Sequence, residues 1–226
     1  MAIKIIGIIY PVKGWKTMVL GIPHGDAAAE VKAMKRTKAE TAETRKRIVK
    51  VAAQEFRRNG ISGTGVADIM SAAGLTHGGF YRHFESKDHL LAEACEASMK
   101  ALVQSAADAA AGGHRAFLKH LEEFLSAENR DDSLGGCPLV AMGSELARAD
   151  KATRHVASDG FKQLVAIIAK QEFVKDTRSA KAYAVFTLSA MIGAVTMSRI
   201  MDDRKLSDLI LEATKDCLAN LQPEPQ

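Results

Sequence analysis

The chain has 226 residues, of which 47% are hydrophobic and 26% are charged, and its formal net charge is +4. This composition excludes a chain too short or too polar to enclose a core, and it allows one large or two small globular domains. The charge is unevenly distributed, because residues 34–94 hold 11 Lys and Arg against 7 Asp and Glu, whereas residues 95–226 hold 16 against 18.

The first part of the chain does not share the pattern of the rest. The run from Ile3 to Ile22 is apolar but is interrupted by three lysines, a proline and a glycine, so it predicts neither a membrane span nor a clean signal core. We expect residues 1–40 to form an N-terminal extension, which is either a disordered arm or an upstream start assigned in error.

Two helices are predicted next. Within residues 45–60, apolar residues recur at helical spacing and the pattern stops at Asn59-Gly60; they are Ile48, Val49, Ala52, Ala53 and Phe56. Thr64 then stands where a side chain can cap the second helix and contact a phosphate. That helix has an apolar face and ends at Gly74, a residue suited to a sharp turn.

The segment after Gly74 predicts a recognition helix. The Thr76 hydroxyl can cap it, and Phe80 and Phe84 lie on one face where they can anchor it to a core. The other face is left for a DNA groove, with side chains that can reach phosphates or base edges: Thr76, His77, Gly78, Gly79, Tyr81 and His83. Each of the two glycines costs a helix about 1 kcal/mol relative to alanine, which indicates close backbone approach to a partner.

The remaining elements are also helical, so the predicted fold class is all-α. A long helix starts at Ser86, a natural N-cap, and breaks at Gly112-Gly113. Further helices are predicted over residues 114–127, 137–149 and 151–173, with a polar loop over 128–136.

The last two helices, about 178–201 and 205–221, have the character of an interface. The first combines small residues, which allow close helix approach, with apolar area, and the second has a stripe that includes Leu206, Leu209 and Leu218. Two such helices from each of two chains can close a four-helix bundle. The alternative is that both stripes are buried within one chain; we favour a homodimer because one recognition helix reads few base pairs.

These motifs resemble the TetR (tetracycline-repressor) family of bacterial transcription regulators. The resemblance rests on Gly74-Leu75-Thr76-His77-Gly78-Gly79-Phe80-Tyr81-Arg82-His83-Phe84, followed by Ser86-Lys87-Asp88 and Leu90-Leu91, and it covers residues 41–95. It implies a helix-turn-helix domain over residues 41–95 and an effector-binding and dimerisation domain over 96–226. Residues on or beside the recognition helix in that family match Thr76, His77, Gly78, Gly79, Tyr81, Arg82, His83 and Lys87, with Tyr81, His83 and Lys87 at phosphate-holding positions.

The resemblance also implies a repressor that binds a palindromic DNA operator as a homodimer and is released by a small-molecule effector. A pocket for such an effector would lie among the middle helices and be lined largely by apolar groups. The candidates are Phe117, Leu121, Phe124, Cys137, Val140, Met142, Phe161, Leu164, Val165 and Ile168, although each also suits a plain core position.

Cys137 gives an alternative on the same scaffold. It follows Gly135-Gly136 and precedes Pro138, and a thiol near a helix start can have a lowered pKa and react with electrophiles or oxidants. The protein would then be a redox or electrophile sensor. The simpler interpretation, a buried inert thiol, remains the favoured one.

A helical enzyme is the remote alternative. The chain has no nucleophile elbow, no His-Glu-x-x-His and no phosphate-binding loop motif, so we predict neither catalysis nor a cofactor. His77, His83 and His89 are six apart and face opposite sides of a helix, and the three cysteines have no zinc-ligand spacing, so no metal is expected. An odd cysteine count favours a reducing cytoplasm.

Overall fold

A computed structural model describes residues 4–5, 8–9, 38–132, 135–171 and 177–220. Two units can be distinguished, one from Met1 to Thr41 and one from Ala42 onwards. In the first, the two-residue strands β1 (Lys4–Ile5) and β2 (Ile8–Ile9) pair antiparallel, with Lys4 opposite Ile9. The prediction for the rest of residues 1–37 lies outside the described residues.

The second unit is helical, which confirms the predicted all-α class. Its α-helices are α1 (Lys38–Asn59, which begins in the first unit), α2 (Val66–Ala72), α3 (Lys87–Ala111), α4 (His114–Phe124), α5 (Ala127–Arg130), α6 (Pro138–Ala141), α7 (Gly143–Leu146), α8 (Lys151–Ala169), α9 (Thr177–Ile200) and α10 (Arg204–Asn220). A 3₁₀ helix, His77–Arg82, lies between α2 and α3 and is named the recognition segment below.

The helix-turn-helix part, which consists of α1, α2 and the recognition segment, is built as its apolar spacing predicts. Ile48, Ala52 and Phe56 of α1 are fully buried, and they meet Ile69 and Met70 of α2 in one core. Gly60 ends α1 with a φ of 77°, a left-handed conformation in which other residues are strained. The predicted cap of α3 is confirmed, because the Ser86 Oγ accepts a hydrogen bond from the His89 amide at 3.0 Å.

Helix α3 runs without a break across residue 95, where the sequence predicts the boundary between two domains. Its main partner is α8, and the close approach of the two helices depends on Gly160, whose missing side chain leaves room for Met99. One hydrophobic core continues from Phe56 in α1 to Ile168 in α8 and Leu188 in α9. A second, smaller core lies among Leu125, Val140, Val195, Leu211 and Leu218.

Two predicted elements are wrong in detail. The helix expected over residues 137–149 is divided into α6 and α7, because Met142 between them has a φ of −124° and a ψ of 11°. The loop expected over 128–136 begins within α5, which Ser126 caps by accepting a hydrogen bond from the Asn129 amide at 3.1 Å.

Helix α9 is the most apolar long helix of the described part. The span from Arg178 to Ile200 is long enough to cross a membrane, and a stretch of 18 residues within it has a mean hydropathy of 1.4, so it passes on length and composition alone. The same test is passed by core helices of soluble proteins, so a single such helix is weak support for a membrane span. In this structure α9 packs against both α8 and α10, as a helix inside a globular domain does.

Candidate nucleic-acid interface

The turn that precedes the recognition segment is confirmed at Gly74. This residue has a φ of 68°, and the Leu75 amide reaches back to the Met70 carbonyl at 2.8 Å, which closes the end of α2. Because a side chain at Gly74 would meet no atom within 4 Å, the positive φ rather than lack of space makes glycine the suitable residue.

The recognition segment is tighter than the α-helix we predict from the sequence. Its backbone bonds include Thr76 O with Gly79 N at 3.0 Å and Phe80 O with His83 N at 2.8 Å, an i to i+3 pattern. Thr76 stands at the N-cap with extended backbone, but its hydroxyl makes no capping bond, so that part of the prediction is wrong. Adjacent glycines with low helical propensity suit a short turn of this kind.

Two aromatic rings anchor the back of the recognition segment, as predicted. Phe80 and Phe84 are 1% and 2% exposed, and their ring centroids lie 5.7 Å apart in a stacked arrangement. Arg45 of α1 covers the Phe84 ring at 4.4 Å from its centroid, and its Nε donates to the His83 carbonyl at 3.3 Å. The guanidinium also pairs with Glu93 of α3, so the segment is held from both neighbouring helices.

The front of the recognition segment is polar and exposed. Thr76, His77, Gly78, Tyr81 and Arg82 all face solvent, while Gly79 and His83 are half-buried. Tyr81 is 69% exposed, and its ring meets that of His77 edge-on at 6.3 Å between centroids. Hydroxyl, imidazole, phenol and guanidinium groups are thus gathered on one surface, which is the chemistry needed to contact phosphates and base edges.

Thr64 does not have the role that the sequence predicts. Gly65 occupies the N-cap of α2, and its amide donates to the Asp68 carboxylate at 3.0 Å. Thr64 is 1% exposed, and its hydroxyl lies 2.7 Å from the Gly60 carbonyl and 3.2 Å from the Glu55 carbonyl. The side chain therefore closes the end of α1 and is not available to a phosphate.

Lys87 is half-buried and already has an internal partner. Its Nζ donates to the Ile61 carbonyl at 2.6 Å and lies 5.9 Å from the centroid of the Phe56 ring. If this ammonium also binds a DNA phosphate, it has to bind the phosphate and the Ile61 carbonyl at the same time. The contact therefore stays a prediction.

Sequence reasoning missed Glu145, which binds that same loop. Its carboxylate accepts hydrogen bonds from the amides of Ile61 at 2.9 Å and Ser62 at 2.8 Å. Burial alone would raise the pKa of Glu145, but the bonds from the Ser62 and Ile61 amides and the charge of Arg148 together lower it. No local pattern signals this contact, because more than eighty residues of chain separate the partners.

The ten predicted effector residues are divided between the two cores. Phe117, Met142, Leu164, Val165 and Ile168 are buried in the first core, and Phe161 packs against it. Cys137 and Val140 belong to the second core, Phe124 packs against it, and Leu121 touches both. The effector pocket stays a prediction.

Among the cavities on the described part of the chain, three have well-defined linings. A groove of about 660 Å³ lies between α1 and α3, and a cleft of about 420 Å³ is lined by four arginines together with Asp132 and Val140. The third, of about 230 Å³, lies between α9 and α10. Of the ten residues, only Val140 lines any of the three.

The environment of Cys137 contradicts the lowered thiol pKa on which a reactive cysteine would depend. Burial raises the pKa of this thiol, and although the amides of Val140 and Leu139 and the charges of Arg199 and Arg57 act in the opposite direction, burial dominates. The side chain is 6% exposed. The thiol is therefore protonated and shielded, as the simpler interpretation expects.

A polar cluster centred on Arg130 connects α5 to α10. The Arg130 side chain is 2% exposed and pairs with Asp131 at 2.9 Å and Asp208 at 2.5 Å, while its Nη1 also meets the Ser207 hydroxyl at 2.8 Å. Arg199 of α9 donates to three backbone carbonyls nearby, those of Asn129, Arg130 and Gly135. These bonds fix the end of α5 against the last two helices.

Helices α9 and α10, which pack against each other, expose several large apolar side chains. The exposed fractions are 40% for Val185, 52% for Phe186, 46% for Met197, 64% for Ile200, 43% for Leu206 and 57% for Leu209. The third cavity lies beside them and is lined by Phe186, Ala190, Ala213, Thr214, Cys217 and Leu218. A patch of exposed apolar side chains on two packed helices is typical of a protein interface.

Comparison with known sequences covers both halves of the chain. A model of bacterial regulatory proteins of the tetR family matches residues 48–94, and a model of the C-terminal domain of LmrA/YxaF-like transcriptional regulators matches residues 110–210. The probable acrEF/envCD operon repressor of Escherichia coli strain K12 is 40% identical over 72 residues, which are 31% of this chain and 33% of that protein. The transcriptional repressor BepR of Brucella suis biovar 1 is 46% identical over 54 residues, 24% of this chain and 26% of BepR. The chain thus spans a third or less of the length of these relatives.

Solved structures extend the likeness to most of the chain. A TetR-family regulator from Cytophaga hutchinsonii has a TM-score of 0.67 at 25% identity, and the match covers 84% of this chain and 100% of that one. A TetR regulator from Chloroflexus aurantiacus J-10-FL gives 0.66 at 28% identity, covering 80% of this chain and 95% of that one. With both sequence models and the architecture in agreement, the chain belongs to the TetR family of bacterial transcriptional regulators.

Proposed function

We propose that this TetR-family regulator is a cytoplasmic repressor that binds a palindromic DNA operator as a homodimer and is released by a small-molecule effector. The observation that carries the proposal is the recognition segment, which the buried Phe80 and the neighbouring Phe84 hold in place so that His77, Tyr81 and Arg82 form a polar, exposed face. Two relatives are named as repressors, and the family is one of regulators rather than enzymes, so we infer no catalytic activity.

The exposed patch on α9 and α10 supports the homodimer. A second copy of the same patch would cover Phe186, Ile200 and Leu209 and form a four-helix bundle about a two-fold axis. Two recognition segments related by that axis would meet two half-sites of a palindrome, separated by one or more turns of the DNA. The apolar character of α9 is then that of an interface helix, and no membrane is required.

The two sequence models suggest which part of the chain has which function. We propose that residues 41–95 bind DNA and that residues 96–226 bind the effector and dimerise. Release requires an effector with higher affinity for a dimer in which the recognition segments are misplaced, since a ligand with equal affinity for both geometries shifts nothing.

The test is selection of random duplex DNA by the purified full-length chain, followed by sequencing of the bound pool. The expected result is a two-fold symmetric motif, bound with an affinity that falls steeply as salt rises because phosphate contacts release counterions. A selected motif without two-fold symmetry would contradict the dimeric mode of binding, and a pool without enrichment at low salt would contradict operator recognition altogether.

A further inference from the structure

The helix-turn-helix part is attached to the rest of the second unit at more than one place. The first attachment is α3, a continuous helix that begins beside the recognition segment at Lys87 and ends at Ala111. The second is Glu145 on α7, whose carboxylate receives the Ile61 and Ser62 amides from the loop between α1 and α2. A single helix allows the part it carries to bend and twist, whereas a second attachment away from its axis restrains both motions.

The loop between α1 and α2 is shaped to receive this carboxylate. A Cβ added at Gly60 would lie 2.9 Å from the Glu145 Oε2, so the absence of a side chain there leaves room for the contact. On the opposite side the Lys87 ammonium holds the Ile61 carbonyl, and the Ile61 side chain packs against the main core. Ile61 is therefore fixed through its amide, its carbonyl and its side chain.

Glu145 is itself held firmly by its neighbours in sequence. Met142, at the start of α7, is 2% exposed and Leu146, at its end, is 4% exposed, and both belong to the core that also contains Phe56 and Ile69. The carboxylate thus projects from a segment with buried residues on either side. A displacement of α7 would be passed to the loop between α1 and α2.

We propose that Glu145 is a positioning residue, which sets the orientation of the helix-turn-helix part relative to α8 and so determines how well a recognition segment fits an operator half-site. The effect on DNA rests on the function proposed above, whereas the effect on orientation does not. Glu145 touches no DNA in this proposal and acts through Ile61 and Ser62.

The experiment compares Glu145→Ala and Glu145→Gln with Glu96→Ala. Glu96 lies exposed on α3, and its replacement removes the same charge without touching the bonds to Ile61 and Ser62. Glutamine keeps an oxygen that can accept a hydrogen bond from an amide, so Glu145→Gln should change the orientation less than Glu145→Ala does. Thermal unfolding of each variant separates loss of position from loss of fold.

The first two readouts need no DNA. Amide hydrogen exchange at Ile61 and Ser62 should accelerate about tenfold or more in Glu145→Ala, because these amides lose their acceptor. Spin labels at Ser71→Cys on α2 and Gln163→Cys on α8, both exposed sites, report orientation within one protomer. Cys217→Ser removes the exposed native thiol, and dilution with unlabelled chain removes signals between protomers.

The distance distribution between the labels should broaden in Glu145→Ala and remain narrow in Glu96→Ala. If a tenth of the molecules keep the competent orientation, operator affinity should fall about tenfold, while affinity for unrelated DNA should match that of Glu96→Ala. An unchanged distance distribution would overturn the proposal, and so would a broadened one with operator affinity equal to that of Glu96→Ala. If the wild-type chain selects no operator, the repressor function fails, and the labels alone decide the role of Glu145.

Discussion

The molecule exposes two surfaces whose side chains differ in chemistry. The recognition segment presents polar groups such as His77 and Arg82, whereas α9 and α10 present Phe186 and Leu209, which are 52% and 57% exposed. A polar surface is stable in water without a partner, but each large apolar side chain gains about 1.5–3 kcal/mol when it is fully buried. We therefore expect another protein surface to cover the exposed side chains of α9 and α10 permanently, whereas the recognition segment can stay free in water and bind its partner reversibly.

The two surfaces are also supported differently from behind. Aromatic rings support the recognition segment, with Arg45 and Glu93 forming a partly exposed ion pair over them. Behind the last two helices lies the buried guanidinium of Arg130. Mutations can therefore weaken the aromatic support of the recognition segment and the Arg130 support of the last two helices independently of each other.

The largest expected effect is that of Phe80→Ala, which removes a fully buried ring from the back of the recognition segment. Such a truncation leaves a cavity, so the free energy of unfolding should fall by about 3–5 kcal/mol. Denaturant titration measures this fall. Operator binding should be lost with it, because the segment no longer keeps its shape.

Tyr81→Ala is the matched variant on the exposed side of the same segment. It removes an edge-to-face contact with Phe80 at 5.2 Å between centroids, so the free energy of unfolding should fall by about 1 kcal/mol at most. Operator affinity should nevertheless fall about tenfold or more, as for the loss of a specific contact. Unchanged operator affinity in Tyr81→Ala would show that the polar face is not the interface.

The next effect concerns the apolar surface. Leu209→Glu places a charge in the patch that a second copy would bury, and an unpaired buried charge is strongly unfavourable. The dimer dissociation constant should rise about a hundredfold or more, measured by sedimentation velocity over a range of concentrations. Affinity for a palindromic operator should fall, while weak binding to unrelated DNA should persist.

Tyr81→Glu serves as the opposite variant for this test. It introduces the same charge at a residue of similar exposure on the other surface, so it should abolish operator binding and leave the dimer intact. If the Leu209→Glu variant remains dimeric at nanomolar concentration, α9 and α10 do not form the interface.

How far the sequence predicts the molecule depends on how far apart the interacting residues lie. The Ser86 cap and the pair Phe80 and Phe84 are predictable because their determinants stand within four residues of one another. Thr64 is predicted wrongly because a threonine before an apolar run usually caps a helix, whereas here Gly65 and Asp68 form the cap and Thr64 turns back to α1. Contacts across the fold decide such cases.

The part of the chain after α3 shows the same limit more strongly. The contact of Glu145 with Ile61 depends on how α7 is placed in three dimensions, and no periodic pattern near either residue indicates it. Whether Cys137 is reactive depends on its burial, which raises the pKa of its thiol, and the charges of Arg199 and Arg57, which act in the opposite direction, come from distant helices. Local spacing predicts helices, while burial and charge pairing emerge only from the assembled fold.

The smallest expected effect tests the polar support behind the apolar surface through its pH dependence. Hydrogen bonds from Arg130 and then Arg204 lower the pKa of Asp131 well below its usual range. A depressed pKa in the folded state stabilises the fold above the unfolded pKa of about 3.9, and that stabilisation is lost as the pH falls towards the folded value. Asp131→Asn should therefore lower the thermal midpoint at pH 7 by about 2 °C or less, because the carboxylate is largely exposed.

The difference between wild type and Asp131→Asn should shrink as the pH falls below about 4, since Asp131 then binds a proton in the unfolded wild-type chain while it stays ionised in the folded one. Measuring thermal midpoints of both chains from pH 7 to pH 3 cancels the titration of all other acids. The ion pair behind the recognition segment has a pH dependence of the same direction, because Arg45 lowers the pKa of Glu93. Since this pair is present in both chains, it does not contribute to the difference between them. A difference that stays constant over this range would mean that Asp131 stabilises α5 through neutral hydrogen bonds rather than through its charge.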